Sequence, residues 1–311
     1  MTVGIPKALL YFKYHAFVRA FFEALDVRVV VSPDTNRQIL DAGALCCADE
    51  ACLPVKVFHG HAAWLKGRCD AVLAPRFLRM EKGLTLCPLL CGLPDMLRGT
   101  LPDLPLLDAP VKSLEVPEGW ARSAAKAVGH RRGVDEAIAK ALCAQRAWAV
   151  SQPEIRGRRR IALIGHAYNL YDRFVSMDLL GKLARLDIGA YTEEDVAEAD
   201  ISRAAADLYK APFWYFARRY YGAAAYLCAS GLVEGVLYVS AFSCGVDAVV
   251  AELAAHAAGD LPMMVVKLDE HTGEAGLDTR LEAFADMLER RSGGHYIPSD
   301  GQHYACGESV L

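Results

Sequence analysis

Short apolar runs rich in β-branched residues alternate with stretches of helical periodicity along the chain. Thr2 to Ile5 predicts a strand, Ala8 to Leu25 an amphipathic helix rich in Phe, Leu and Tyr, and Val27 to Val31 (VRVVV) a buried strand. Asp34 or Thr35 is placed to cap a helix running to about Ala42. Leu53 to Leu65 predicts another helix, with Pro54 in its first turn. A strand at Asp70 to Ala74, a helix at Pro88 to Arg98 and a short strand at Pro105 to Leu107 follow. Glu118 to Gln152 is a long helical stretch interrupted at Gly129 and Gly133. A second series then predicts strands at Arg160–Ile164, Ile188–Tyr191, Gly235–Ser240 and Pro262–Leu268. Its helices fall at Phe174–Leu186, Pro212–Ser230, Val246–Ala258 and Asp278–Arg290. Strand and helix alternating at this spacing make βαβ units and parallel sheets.

The expected fold class is therefore α/β, with two Rossmann-like lobes, each a doubly wound parallel sheet, and a crevice between them. The expected divisions are an α/β lobe over 1–115, a helical bridge over 116–158, a second α/β lobe over 159–292 and an irregular tail over 293–311.

Composition narrows the function. The 311 residues are 53% hydrophobic and 23% charged, with a net charge of −4, which argues against a nucleic-acid binder. The basic run at Arg156 to Arg160 (RGRRR) precedes an apolar strand and reads as a solvated junction. Met1 to Pro6 leads into Lys7, Lys13 and His15 rather than an apolar leader, and no run reaches the roughly eighteen apolar residues of a membrane span. The expected setting is cytoplasmic, with no membrane.

In that setting ten cysteines point to metals or catalysis rather than disulfides. Cys69, Cys143 and Cys228 are covered by ordinary packing. Cys52 (DEACLPVKVFHGH), Cys87 (TLCPLLCGLPD) and Cys244 (SAFSCGVDA) each stand just before a predicted helix, where ligands gather in parallel sheets. Unpaired N–H groups and the helix dipole favour a thiolate there, and Lys56 adds positive charge one turn beyond Cys52. Cys46, Cys47, Cys52, His59 and His61 form a competing zinc reading, but their spacing fits no closed pattern. Cys91 stands one helical turn from Cys87 and serves packing or backs it up. A cysteine nucleophile served by His59 or His271 has no local signature. Neither a P-loop nor a GxGxxG is present, so ATP or nicotinamide binding by this chain is not supported.

Two polar loops follow predicted strands. GHAYNLYD (165–172) offers His166, Tyr168, Asn169 and Tyr171 as pocket wall, or Asp172 as a mere cap. DEHTGEAGLDTRLEAF (269–284) concentrates Asp269, Glu270, His271, Glu274 and Arg280, whose acids and His suit proton transfer. His166, Tyr168, Asn169, Glu270 and His271 are the catalytic candidates.

Together with VGIPKALLYF, these segments resemble the 2-hydroxyacyl-CoA dehydratase and double-cubane cluster superfamily, over about Val3 to Arg290. FSCGVDA and DEHTGEAG carry most of the likeness. The resemblance implies a [4Fe–4S] cluster, or a fused double-cubane cluster, in the crevice between the lobes. Cys52, Cys87 and Cys244 would be its ligands, with one iron left open. It implies low-potential electron transfer, or reduction or dehydration of a small substrate, with a non-catalytic cluster carrier and a metal-free binding module as alternatives. The implied partner is a separate ATP-dependent activator carrying its own cluster; a homodimer or partner subunit is also possible on this pattern. The chain is shorter than the dehydratase catalytic subunits, and no segment is assignable to acyl-CoA binding.

Overall fold

The computed structural model describes residues 1–78, 83–113, 117–210 and 212–291. The expected tail over 293–311, with Cys306, lies outside them. The chain divides into two compact units. Among the described residues, the first holds Met1–Gln152 and the returning segment Tyr171–Val175, and the second holds Pro153–Leu170 and 176–291.

The first unit opens with β1 (Thr2–Ile5), α1 (Tyr11–Ala24), β2 (Arg28–Val31), α2 (Arg37–Leu45), α3 (Leu53–Leu65) and β3 (Ala71–Leu73). It continues with β4 (Arg76–Phe77), α4 (Pro88–Thr100), β5 (Leu106–Leu107), β6 (Pro110–Val111), α5 (Glu118–Ala127) and α6 (Val134–Val150). Its main sheet is parallel in the order β2-β1-β3-β5, and β4 pairs with β6 in a small parallel ribbon. The chain steps outward from β1 to β2 and then crosses back to β3, so the strand order reverses between β1 and β3. The helices read as a bridge over 116–158 pack within this unit. Trp120 of α5 sits against Phe17, Phe21 and Phe22 of α1, and Gln145 of α6 bonds the α1 backbone at Phe17.

The second unit contains β7 (Arg159–Gly165), α7 (Ala167–Leu170), α8 (Leu179–Arg185), β8 (Ile188–Tyr191), α9 (Glu198–Ala206) and α10 (Tyr215–Ser230). Then come β9 (Gly235–Ala241), α11 (Gly245–Ala258), β10 (Met263–Leu268) and α12 (Glu274–Arg291). Its parallel sheet runs β10-β9-β7-β8 and reverses between β7 and β9. Every residue of β9 (GVLYVSA) is buried, the uninterrupted apolar run expected of a strand covered on both faces. The α/β class with parallel sheets is thus present in both units.

Several elements differ from the sequence reading. Leu9 has φ of 53°, which delays α1 to Tyr11. Asn36 rather than Asp34 or Thr35 caps α2, its side chain accepting from Ile39 N. The helix expected over Phe174–Leu186 shrinks to α8, because Met177 and Asp178 both take positive φ. Helix α12 begins at Glu274 rather than Asp278, and α9 and the β4–β6 ribbon were not foreseen. Among the described residues no helix is long and apolar enough to cross a membrane.

Candidate functional site

The three candidate thiols share one placement. Cys52 is the N-cap of α3, Cys87 of α4 and Cys244 of α11. Of the three, Cys244 accepts a first-turn N–H with its side chain, whereas Cys52 and Cys87 make no side-chain cap hydrogen bond. Proline in the first turn of α3 and α4 supplies the φ a helix start needs where its missing N–H costs nothing. Each thiol is half-buried, and among the described residues none forms a disulfide. Cys52 and Cys87 belong to the first unit and Cys244 to the second.

Around Cys244 the second unit builds a polar cluster at its strand-order reversal. His166 follows β7, and Cys244 with Asp247 follows β9. One ligand atom from each of His166, Cys244 and Asp247 lies within 4.8 Å of the others. Asp247 N donates to Cys244 Sγ at 3.4 Å, and Tyr238 Oη donates to Asp247 Oδ1 at 3.2 Å. Tyr220 Oη lies 2.9 Å from His166 Nδ1, while His166 Nε2 lies 3.5 Å from Asp247 Oδ1. Tyr220 donating to Nδ1 leaves Nε2 to carry its proton toward the carboxylate. Burial raises the phenol pKa of both Tyr220 and Tyr238, so they stay protonated as donors.

The cluster is not fully satisfied. Asp247 Oδ2, Ser240 Oγ and both amide atoms of Asn169 are buried without a hydrogen-bond partner among the described residues. Such groups are uncommon in a settled core, and of those named Asp247 Oδ2 belongs to the His166–Cys244–Asp247 cluster. Tyr168 stacks on His166 with ring centroids 4.7 Å apart. Glu270 and His271 follow β10 but are not part of this cluster; His271 is exposed, its backbone N–H bonded to Asp269 Oδ1. Arg280 lies inside α12 and donates to Val265 O.

A second network is buried in the first unit. Ser32 Oγ stands 2.8 Å from His61 Nδ1, and Thr35 Oγ1 stands 2.9 Å from His61 Nε2. Thr35 donates onward to Asp172 Oδ2, and Asp172 Oδ1 accepts from the N–H groups of Phe174 and Val175. Asp172 thus closes a turn rather than capping a helix. Sequence reasoning missed this chain, although His61 stood in the zinc alternative. His59 is also wholly buried, its Nδ1 against Val55 O, so neither histidine faces Cys46 or Cys47 in a shared ligand group. Of the supposed packing thiols, Cys143 is exposed on α6, whereas burial pushes Cys228 up to about 11.

A family model described as the CoA enzyme activase uncharacterised domain (DUF2229) matches residues 2–196. The match contains Cys52, Cys87, His166 and the returning segment 171–175; Cys244 and Asp247 lie beyond it. No curated protein matches the chain. The match covers more than half of the 311 residues, and the chain therefore belongs to the CoA enzyme activase uncharacterised-domain family.

Proposed function

We propose that Cys52, Cys87 and Cys244 ligate a [4Fe–4S] cluster and that the protein works in low-potential electron transfer to a small substrate or partner subunit. The observation carrying this reading is the shared placement of all three thiols at helix N-caps. Membership of an activase-related family supports it. The donor set fits: three half-buried thiols stand at helix N-caps, and cysteine thiolates are the ligands iron–sulfur centres take. When bound, such a cluster stores one electron and passes it on. The chain's own part is to hold the three thiolates, and at Cys244 the Asp247 N–H donates to the sulfur and offsets its charge. His166, held by Tyr220, keeps a proton at Nε2 beside Asp247. A separate ATP-dependent activator with its own cluster is the proposed electron source. The iron count separates a fused double-cubane cluster, and ATP-dependent substrate turnover with an activator separates a purely carrier role.

The test is iron and sulfide content per chain in anaerobically prepared protein, with EPR after reduction. Cys→Ser at 52, 87 or 244 should each strip most of the iron, whereas Cys→Ser at exposed Cys143 should leave it intact. Full iron occupancy in all three ligand variants would end the proposal.

A second reading is favoured by the close approach of His166, Cys244 and Asp247. One nitrogen, one sulfur and one carboxylate oxygen make a ligand set for a single zinc or ferrous ion with an open fourth position. It predicts about one metal ion per chain without sulfide. His166→Ala would release that ion while Cys52→Ser would not.

A further inference from the structure

The first unit contains an apolar cavity of about 150 Å³ that no part of the cluster reading uses. Ile5 and Pro6 from the end of β1, and Leu73 and Pro75 from the end of β3, form part of its wall. The cavity therefore opens where the strand order of this sheet reverses, the place where parallel sheets bind small molecules. Its remaining wall sets Tyr11, Tyr14, Phe17, Phe58, Phe77 and Trp120 among aliphatic side chains.

One observation sets it apart from a packing defect. Leu9, on the wall and almost wholly buried, holds φ of 53°, a left-handed conformation that a leucine adopts only when its surroundings impose it. Strain of this kind collects at ligand sites.

The wall selects against charge. The amide of Gln145 is already committed, accepting from Phe17 N and donating to Lys13 O. Burial raises the phenol pKa of Tyr11 and lowers the imidazole pKa of His15, so both line the cavity uncharged at neutral pH. Arg146 lines the rim but is exposed, and it pays little for staying in water.

We propose that this cavity is a binding site for a small uncharged aromatic molecule of about one ring. Cavities of roughly this volume with leucine and phenylalanine walls accept benzene. Ring faces and edges on several sides favour an aromatic guest over an aliphatic one through edge-to-face contacts. The site is independent of any metal, so it stands or falls apart from the cluster.

The test is ¹⁹F NMR titration of fluorobenzene into the full chain, with 4-fluorobenzoate as the charged counterpart. Saturable fluorobenzene binding is expected, with 4-fluorobenzoate at least about tenfold weaker because its carboxylate must be desolvated. Val18→Phe and Ala8→Leu each fill the cavity from α1 or its approach and should abolish binding while leaving the circular dichroism unchanged. Absence of saturable binding to the unaltered chain would overturn the site. Equal or tighter 4-fluorobenzoate binding would overturn its class, and undiminished binding in whichever filling variants fold would overturn its location.

Discussion

His61 is wholly buried with both ring nitrogens engaged, and the donors along the chain run one way. Thr35 gives its proton to Asp172, so Thr35 Oγ1 accepts from His61 Nε2, and Nδ1 is left to accept from Ser32. Burial, the largest cause, and then Lys7 lower the His61 pKa from 6.5 to about 4. The native state therefore needs the neutral ring. This stability is complete above pH 6.5, is lost as pH falls toward 4, and amounts to roughly 3 kcal/mol. Asp172 is raised by burial, so its contribution has the opposite sign and grows as pH falls through its elevated value. Urea midpoints should decline from pH 7 to pH 5 in the unaltered protein. His61→Gln should be weaker by roughly 2 kcal/mol at pH 7 and show a flatter decline; an equal slope would remove His61 as the source. At this scale the sequence revealed the three helix-capping cysteines, because a helix start is written locally in Cys-Leu-Pro, Cys-Pro and Cys-Gly. The histidine network was not legible, because Thr35 and Asp172 lie 137 positions apart.

Helices α2 and α3 cross at two glycines. A Cβ on Gly43 would stand 1.9 Å from Lys56 O, and one on Gly60 would stand 1.9 Å from Ile39 O. Backbone cannot retreat as a side-chain tip can, so the helices would have to part. Gly60→Ala should destabilise by roughly 2 kcal/mol or more, against the ~1 kcal/mol that alanine gains in helix propensity. Thermal unfolding reads the balance, and a stabilised variant would refute the close crossing. Between α8 and α12, buried Lys182 donates to Glu274 at 2.8 Å and to Asp278. Changing both acids to amides leaves that ammonium buried without its counter-charge. A loss of roughly 2–3 kcal/mol in urea unfolding is expected, since both acids are partly exposed; an unchanged midpoint would mean the lysine escapes to water. Periodicity located α3 at its observed ends because Leu53–Leu65 is apolar almost throughout. It overran α8 because nothing in Met177-Asp178 announces two consecutive left-handed residues.

Each unit has its own parallel sheet and core, which alternating strands and helices foretold, but the path between them was not foretold. The chain leaves the second unit at Leu170, contributes Tyr171–Val175 to the first, and resumes the second at Ser176. Trp214 is the single tryptophan of the second unit, and Trp64, Trp120 and Trp148 belong to the first. Asp172→Ala should therefore lower the transition reported by a Trp120-only variant by roughly 2 kcal/mol, while a Trp214-only variant shifts less. Identical shifts would show that the two sheets melt as one.

That returning segment also sets an order of events during synthesis. When Gln152 has left the ribosome, every strand of the first sheet is available, yet Thr35 still lacks its carboxylate partner. At ~5–20 residues per second, the residues through Val175 follow about 1–5 s later. For that interval the nascent first unit carries Thr35 and His61 without the segment that completes them. A polysome-bound chain arrested before Asp172 should be cut by protease more readily than one arrested after residue 175 has cleared the exit tunnel.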